Sequence, residues 1–328
     1  NNVKHGDLEQ SLLSADRDVD VHMASNGMDM SCVTCHTAKN HIIKGKLYSV
    51  SSENINRATC EQCHTTAPHQ EEVLNRHFEK VACQTCHIPT YAKVNKTKMN
   101  WKWSEAGKLK DGKPYHIEDE EGNHTYLSIK GEFKWEKNVK PEYVWFNGTA
   151  EHYFLGDKVK DDERPVQINK LNGSYHDRDS KIVPVKVHRG DQIWDPVNKL
   201  LIQPKLYDSR KGTGAFWTDF EWDAAAREGM KRVGLPYSGK YDFIQTEMYW
   251  PVNHMVSTKD KSLTCNDCHT RSAEGRLAKL TDFYLPGRDR FWLLDFLGKL
   301  AIVLTILGVM GHGFLRMRPW LETLRKKK

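Results

Sequence analysis

The pattern of apolar and polar residues sets one C-terminal stretch apart from a long polar body. Residues 291–315 read FWLLDFLGKLAIVLTILGVMGHGFL. As a helix these residues would be about 37 Å long, enough to cross the ~30 Å hydrocarbon core of a bilayer with some tilt. The basic residues that follow within 316–328 predict a cytoplasmic C-terminus by the positive-inside rule. We therefore predict a single-pass transmembrane helix at 291–315 in the cytoplasmic (inner) membrane and a cytoplasmic tail at 316–328. A buried or amphipathic helix is the alternative.

The polar body contains a few regular elements. Apolar and polar residues alternate over 127–135, and valines recur at every second position over 183–187. This period of two predicts half-buried strands. Residues 217–232 are rich in alanine and precede Gly234, which is typical of a helix and its stop signal. A second helix is predicted at 68–80, with a proline in its first turn.

All eight cysteines belong to four copies of the motif Cys-x-x-Cys-His. The cysteines are Cys32 and Cys35, Cys60 and Cys63, Cys83 and Cys86, and Cys265 and Cys268, followed by His36, His64, His87 and His269. This motif is the attachment signature of c-type haem: two thiols form thioethers with the haem vinyl groups, and the histidine becomes the proximal iron ligand. Structural zinc or disulfides are alternatives, but neither requires a histidine after every second cysteine. We therefore predict four covalent c-type haems and a role in electron transport.

The spacing of the motifs predicts the organisation of the chain. Three motifs fall in a trihaem segment at 1–95, a haem-free insertion occupies 96–255, and the fourth motif lies in a segment at 256–290. Haem is a large apolar body around which a chain can fold with little regular structure. We therefore expect a multihaem cytochrome that is mostly irregular, with short α-helices, a few β-strands, a haem-packed core and the C-terminal transmembrane helix.

Charge and attachment chemistry bear on location and partners. The formal net charge is +6, but two ionised propionates on each haem would bring the total to roughly +2 with oxidised haems and −2 with reduced haems. The excess of basic residues is better explained as partners for the haem propionates than as a surface that binds nucleic acid. Thioether attachment occurs outside the cytoplasm, so we expect a periplasmic or extracytoplasmic haem domain. No signal peptide is visible at the start, so either a leader was removed or the chain begins partway through a longer protein.

Histidines near the motifs are candidates for the distal iron ligands. They are His22, His41, His69, His77 and His254. Neutral imidazole is the usual sixth ligand of an electron-transfer haem. His41 and His69 each follow a proximal histidine by five residues, a link of at most ~17 Å that reaches a neighbouring haem more easily than the far face of its own.

We therefore expect distal ligands to cross between haems. If His69 and His77 were both helical, they would lie about 12 Å apart and could not serve one iron. There are then five candidates for four sites, so one would serve a haem outside the chain. Met23 or Met255, each beside a candidate histidine, is the alternative ligand.

One further histidine lies inside the apolar stretch. His312 stands between two glycines near the predicted cytoplasmic end of the helix. An ionisable side chain at membrane depth is costly to bury in lipid, so it indicates a functional site. It would line a quinone site or contact a membrane cytochrome or quinone-reactive subunit. A solvated interfacial histidine is the alternative.

Longer stretches resemble one family of cytochromes. They read CVTCHTAKNHIIKGKLYSVSS, ATCEQCHTTAPHQEEVLNRHFEKVACQTCHIPTYAKVNKTKMNW, KPEYVWFNGTAEHYFLGDK, EMYWPVNHMVS and LTDFYLPGRDR. The chain resembles the octahaem tetrathionate reductase family of c-type cytochromes over nearly its whole length. The resemblance implies an irregular haem-packed fold, a periplasmic respiratory role, bis-histidine relay haems and one catalytic haem with a lysine as proximal ligand. Members reduce tetrathionate, nitrite or hydroxylamine.

The chain departs from that family in having four motifs, so it resembles the C-terminal half. No residue matches the catalytic lysine, and the catalytic residues stay unknown. The leading hypothesis is the electron-transfer part of an octahaem assembly, which links the quinone pool to a catalytic haem through an N-terminal tetrahaem half or another multihaem subunit. The alternatives are a chain that is itself the reductase and a structural electron conduit.

Overall fold

Two compact units make up the chain, Asn1–Thr264 and Cys265–Lys328. The computed structural model describes residues 3–45, 55–160 and 164–325. The first three motifs and the strands lie in the first unit, and the fourth motif lies in the second together with the long apolar helix. Lys326–Lys328 of the predicted cytoplasmic tail fall outside the described residues.

Most of the helices are short. They are α1 (Cys32–Cys35), α2 (Glu61–His64), α3 (Glu72–Arg76), α4 (Cys83–His87), α5 (Phe216–Asp219), α6 (Trp222–Arg232), α7 (Cys265–Cys268) and α8 (Trp292–Arg325). Single 3-10 turns occupy Gln10–Ser14, His77–Glu79, Trp103–Glu105 and Lys259–Lys261. Four of these helices, α1, α2, α4 and α7, coincide with the four cysteine motifs.

The strands form one small hairpin and one large sheet. The hairpin pairs β1 (Ala38–Lys39) with β2 (Ile42–Ile43). The strands of the sheet are β3 (Thr97–Lys102), β4 (His116–Glu118), β5 (His124–Leu127), β6 (Gly131–Glu136), β7 (Glu142–Phe146), β8 (Ala150–His152), β9 (Val166–Leu171), β10 (Lys181–Asp195), β11 (Leu200–Leu201) and β12 (Asp242–Pro251). Their main order is β4-β5-β6-β3-β10-β12-β9-β8, and β7 and β11 also pair with β10.

Strand β10 is the longest strand of this sheet and lies at its centre. It pairs antiparallel with β12 from Val185↔Pro251 to Trp194↔Asp242, and parallel with β3 around Gly190↔Trp101. Residues 182–187 are buried without alternation, as expected for a strand covered on both faces. Strand β12 ends at Pro251, three residues before His254, so the sheet positions the segment that contains His254.

The expectation of only a few strands was wrong for the insertion. Residues 96–255 contain the whole ten-stranded sheet. Polar and aromatic residues on its strands obscure the period-two pattern. The pattern over 127–135 spans a hairpin instead of one strand, because β5 ends at Leu127 and β6 begins at Gly131, whose φ is +86°. The strand expected over 183–187 lies within β10.

The two predicted helices are interrupted. Between α5 and α6 the backbone of Phe220 is left-handed (φ +58°), and Gly234 (φ +71°) follows the end of α6, as its stop signal predicts. The helix expected at 68–80 is reduced to α3 and a 3-10 turn. His69 lies outside it because the Asn75 amide accepts a hydrogen bond from the His69 N–H (2.9 Å) and donates one to the His69 carbonyl (2.8 Å).

A buried cluster joins the start of the chain to the end of β12. Leu12, Ile88, Tyr91, Val252 and Met255 belong to it, and each is at most 3% exposed. Burial of these side chains fixes the N-terminal segment against residues 252–255. The two segments that carry His22 and His254 therefore share one core.

Helix α8 contains the predicted apolar stretch. Trp292–Pro319 is long and apolar enough to cross a membrane, and its most apolar stretch is not buried within the protein. His312 lies exposed on this helix. Length and composition are therefore those of a membrane span.

Candidate haem-binding sites

Each Cys-x-x-Cys-His motif forms one tight turn. The backbone N–H of His36 donates to the carbonyl of Cys32 (2.9 Å), that of His64 to Cys60 (2.9 Å), and that of His269 to Cys265 (2.8 Å). The third motif is the helix Cys83–His87. Residues four apart lie on one helical face, so each turn presents cysteine and histidine side chains together.

The surroundings of the cysteines bear on the two alternatives, disulfides and structural zinc. The eight cysteines are not joined in disulfides, and within the described parts of the chain no three His, Cys, Asp or Glu side chains converge to hold a bare metal ion. Disulfides and a structural zinc site therefore have no support from the structure. Attachment to haem vinyl groups needs thiols that are not joined in disulfides.

Three motif histidines face a second histidine. His36 faces His254 with ring centres 6.2 Å apart, His64 faces His22 at 5.9 Å, and His87 faces His69 at 6.1 Å. We call these pair 1, pair 2 and pair 3 after the motif in each. The two ring planes make angles of 30°, 68° and 10°, in that order.

These separations fit a pair of axial ligands on one iron. An imidazole nitrogen binds a metal at roughly 2 Å and the ring centre lies about 1 Å farther, so two axial rings on one iron are about 6 Å apart. The observed 5.9–6.2 Å matches this spacing. The residues present therefore fit a haem between each pair.

The second ring nitrogen of several histidines is held by an oxygen. Nδ1 of His36 lies 2.8 Å from the Lys44 carbonyl, Nδ1 of His69 lies 3.3 Å from Oδ1 of Asn75, and Nδ1 of His254 lies 3.3 Å from Oδ2 of Asp7. An Nδ1–H donated to an oxygen leaves Nε2 as the metal-binding nitrogen. These contacts hold the three rings in place and would leave the Nε2 atom of each available to a metal.

Two buried carboxylates hold the backbone beside the second histidines. Asp7 Oδ2 accepts hydrogen bonds from the N–H groups of Asn253 (2.8 Å) and His254 (3.1 Å). Asp20 Oδ1 accepts from the N–H of His22 at 2.9 Å. Burial opposes ionisation of Asp7, but its hydrogen bonds to His254 and to the two amides outweigh burial and hold its pKa below the ordinary range. Sequence reasoning missed both carboxylates; the only local signal was Asp20 two residues before His22.

The pairs connect distant parts of the sequence. His22 precedes the first motif but faces the second, His69 follows the second motif but faces the third, and His254 comes from the end of β12 but faces the first. This is the crossed arrangement expected of distal ligands. That these histidines bind iron stays a prediction.

The second and third motifs are close neighbours. The Cys60 and Cys83 thiols are hydrogen-bonded to each other, which raises the pKa of Cys60 and lowers the pKa of Cys83 to about 7. Burial and the charges of His69, His64 and His22 lower the pKa of His87. If each cysteine is an attachment point, groups bound at the two motifs would lie close together.

The remaining ligand candidates lie outside the three pairs. His41 is exposed in the turn between β1 and β2, with φ +63°. His77 begins a 3-10 turn, and its Nδ1 lies 2.8 Å from the Val73 carbonyl. Their assignment stays a prediction. Met255 is fully buried in the core cluster and Met23 packs against it. Iron ligation by either methionine stays the untested alternative.

The fourth motif has its own supporting loop. Nδ1 of His269 lies 2.8 Å from the carbonyl of Pro286. Arg288 fixes that loop because its guanidinium donates to the carbonyls of Leu277 (2.8 Å) and Phe283 (2.7 Å) and pairs with Asp289 at 2.7 Å. The Pro286 carbonyl thus orients His269 as the Lys44 carbonyl orients His36.

Comparisons with known proteins agree with these features. A family model described as bacterial cytochrome c matches residues 98–272, more than half of the chain. It covers the insertion, in which no chemical motif was recognised, and the fourth motif. The chain is also similar to the crystal structure of an octaheme cytochrome c from Shewanella oneidensis, with 45% identity and a TM-score of 0.74. The match covers 83% of this chain and 62% of that one, so the chain spans less than two thirds of that protein's length. Curated proteins gave no match.

Proposed function

Because the chain belongs to the bacterial cytochrome c family, we propose that it is a membrane-anchored, extracytoplasmic tetrahaem electron-transfer protein. Covalently bound haem would supply reversible one-electron chemistry. The four Cys-x-x-Cys-His turns would hold it, and the protein would orient the ligands and exclude water.

The three histidine pairs are the observation that carries this proposal. Each places two imidazoles at the spacing of axial ligands, and in pair 1 both Nδ1 atoms are held by oxygens, which would leave Nε2 of His36 and His254 available to an iron. A site with two protein ligands has no open position for a substrate. Such a site favours electron transfer over substrate chemistry.

Proximity of the sites supports a relay. The contact between Cys60 and Cys83 joins the second and third motifs, and the crossed pairs link each site to a neighbouring segment. Short separations between redox groups favour rapid electron tunnelling. The chain would therefore carry electrons between a donor and an acceptor outside it.

Helix α8 supports attachment to a membrane. Trp292–Pro319 has the length and hydropathy of a span, and Arg316 and Arg318 follow its apolar stretch. We propose a single pass in the cytoplasmic membrane with the C-terminus in the cytoplasm. His312 would then lie near the cytoplasmic side, where a quinone or a membrane cytochrome could meet it.

The similarity to an octahaem protein supports a larger assembly. That protein is longer than the part matched here, so we propose that further haems lie on another segment or on a separate subunit. Together they would form an octahaem tetrathionate-reductase-like respiratory assembly. The present chain would link the quinone pool to its catalytic haem.

The test combines mass and electron transfer. The purified holoprotein should have the mass of the polypeptide plus four haems, and in proteoliposomes it should be reduced by a quinol when the quinone-reactive partner is present. His312→Ala should slow that reduction, while a change at the exposed Tyr207 in the other unit should not. Reduction of tetrathionate, nitrite or hydroxylamine by the chain alone would favour the reductase alternative, and filaments in electron micrographs would favour the conduit.

A further inference from the structure

Two of the second histidines differ in the charge of the group that holds them. His254 of pair 1 contacts Oδ2 of Asp7, and His69 of pair 3 contacts Oδ1 of Asn75. Both contacts measure 3.3 Å from Nδ1. Aspartate and asparagine are nearly equal in shape, so the two acceptors differ by one negative charge. They also differ in burial, because Asp7 is buried whereas Asn75 is half-buried.

The Asp7 charge is shielded from water. The residue is 1% exposed, and its Oδ1 atom is buried with no hydrogen-bond partner among the residues that the structure describes. All three hydrogen bonds of Asp7 fall on Oδ2, from the backbone of Asn253 and from the backbone and ring of His254. A charge in a low-dielectric interior acts more strongly on its neighbours than one in water. The Lys186 side chain interacts electrostatically with Asp7, and its Nζ donates to the Val3 carbonyl and to Thr97 Oγ1.

We propose that Asp7 is a positioning residue that sets the reduction potential of the haem at pair 1 below that of the haem at pair 3. A carboxylate acceptor polarises the Nδ1–H bond and makes the imidazole a stronger donor to ferric iron. Its negative charge also favours the oxidised, more positive state. An amide acceptor gives the same orientation without the charge. The inference rests on the proposed ligation of iron by His254 and His69.

A reciprocal pair of substitutions tests this. Asp7→Asn and Asn75→Asp are made singly in the full chain, and each haem is followed by EPR during a redox titration of the detergent-solubilised holoprotein. We expect Asp7→Asn to shift one midpoint potential upward and Asn75→Asp to shift a different one downward. The low-spin spectrum should persist in both variants. If neither substitution moves a midpoint potential from its value in the parent chain, the inference is wrong.

A third variant separates failure of the inference from failure of the ligand assignment. His254→Ala should convert one haem from low spin to high spin. If His254→Ala leaves every haem low spin, the assignment of His254 in the proposed function is wrong. If it produces the high-spin haem but Asp7→Asn moves no potential, the ligand assignment stands and the role of Asp7 is wrong. A high-spin haem in Asp7→Asn itself also overturns the inference, because Asp7 would then only hold the segment in place.

Discussion

Asp20 and Met255 are 235 residues apart in sequence, yet Asp20 Oδ2 accepts a hydrogen bond from the Met255 N–H at 2.8 Å. The same oxygen accepts from Val256 (3.0 Å), and Oδ1 accepts from His22 (2.9 Å) and Met23 (3.1 Å). One buried carboxylate therefore holds the backbone at His22-Met23 and at Met255-Val256. The second histidines of pairs 1 and 2 are fixed relative to each other through it.

Asp20→Ala should destabilise both pairs at once. Four backbone N–H groups would lose an ionised acceptor in a buried setting, at a cost on the order of 3 kcal/mol. We expect a lower thermal midpoint and high-spin character at two haems, measured by thermal melts and by the visible spectrum. The matched control is Asp18→Ala, which removes only an exposed ion pair with Lys261 and should cost less than about 1 kcal/mol. Equal effects of the two substitutions would contradict this role of Asp20.

The ring angles predict different EPR signals for the pairs. The planes of pair 2 are 68° apart and those of pair 3 are 10° apart. Near-perpendicular axial imidazoles give a strongly anisotropic low-spin ferric signal, and near-parallel ones give an ordinary rhombic signal. We expect His22→Ala to remove the strongly anisotropic signal and His69→Ala to remove a rhombic one. If His22→Ala removed a rhombic signal and His69→Ala removed the strongly anisotropic one, the ring angles of these pairs would not be the angles of the iron ligands.

Lys186 should make stability depend on pH. Burial lowers its pKa from the ordinary 10.5 to about 7, against the opposing pull of Asp7. Between those two values the unfolded chain binds one more proton than the folded chain, so stability rises with pH across this window. Below about pH 7 both states are protonated, and the full penalty of the buried ammonium remains.

Lys186→Met should flatten this dependence. We expect the gain in thermal midpoint between pH 7 and pH 10 to shrink, because the change removes a penalty of a few kcal/mol. Lys102→Met is the control, since Lys102 is exposed and pairs only loosely with Glu132 at 3.6 Å. An unchanged pH profile in Lys186→Met would show that this ammonium is not buried in the holoprotein.

Removal of helix α8 tests the membrane anchor. A chain that ends before Phe291 loses the whole apolar stretch and keeps all four motifs. We expect it to be soluble without detergent, with the visible spectrum of the full chain, whereas the full chain should resist carbonate extraction from membranes. If the shortened chain stays with the membrane fraction, attachment has another cause.

Local sequence patterns predicted local features of this protein. The Cys-x-x-Cys-His turns and helix α8 depend on residues close in sequence, and both appear where the sequence places them. The sheet was underestimated because β10 is assembled from partners far apart in the chain, such as β3 and β12. The roles of Asp7, Asp20 and Asn75 depend on where folding brings their carboxylate and amide oxygens. No local pattern distinguishes Asp7, which acts on His254 from the other end of the first unit.

The central claim is that the three facing histidine pairs are the axial ligands of haem iron. Near-infrared magnetic circular dichroism of the fully oxidised holoprotein measures it most directly, because the charge-transfer band of a low-spin ferric haem identifies its two ligands. We expect a bis-histidine band with the intensity of at least three haems per chain. An intensity of fewer than three, or a band of histidine–methionine ligation in its place, would contradict the account.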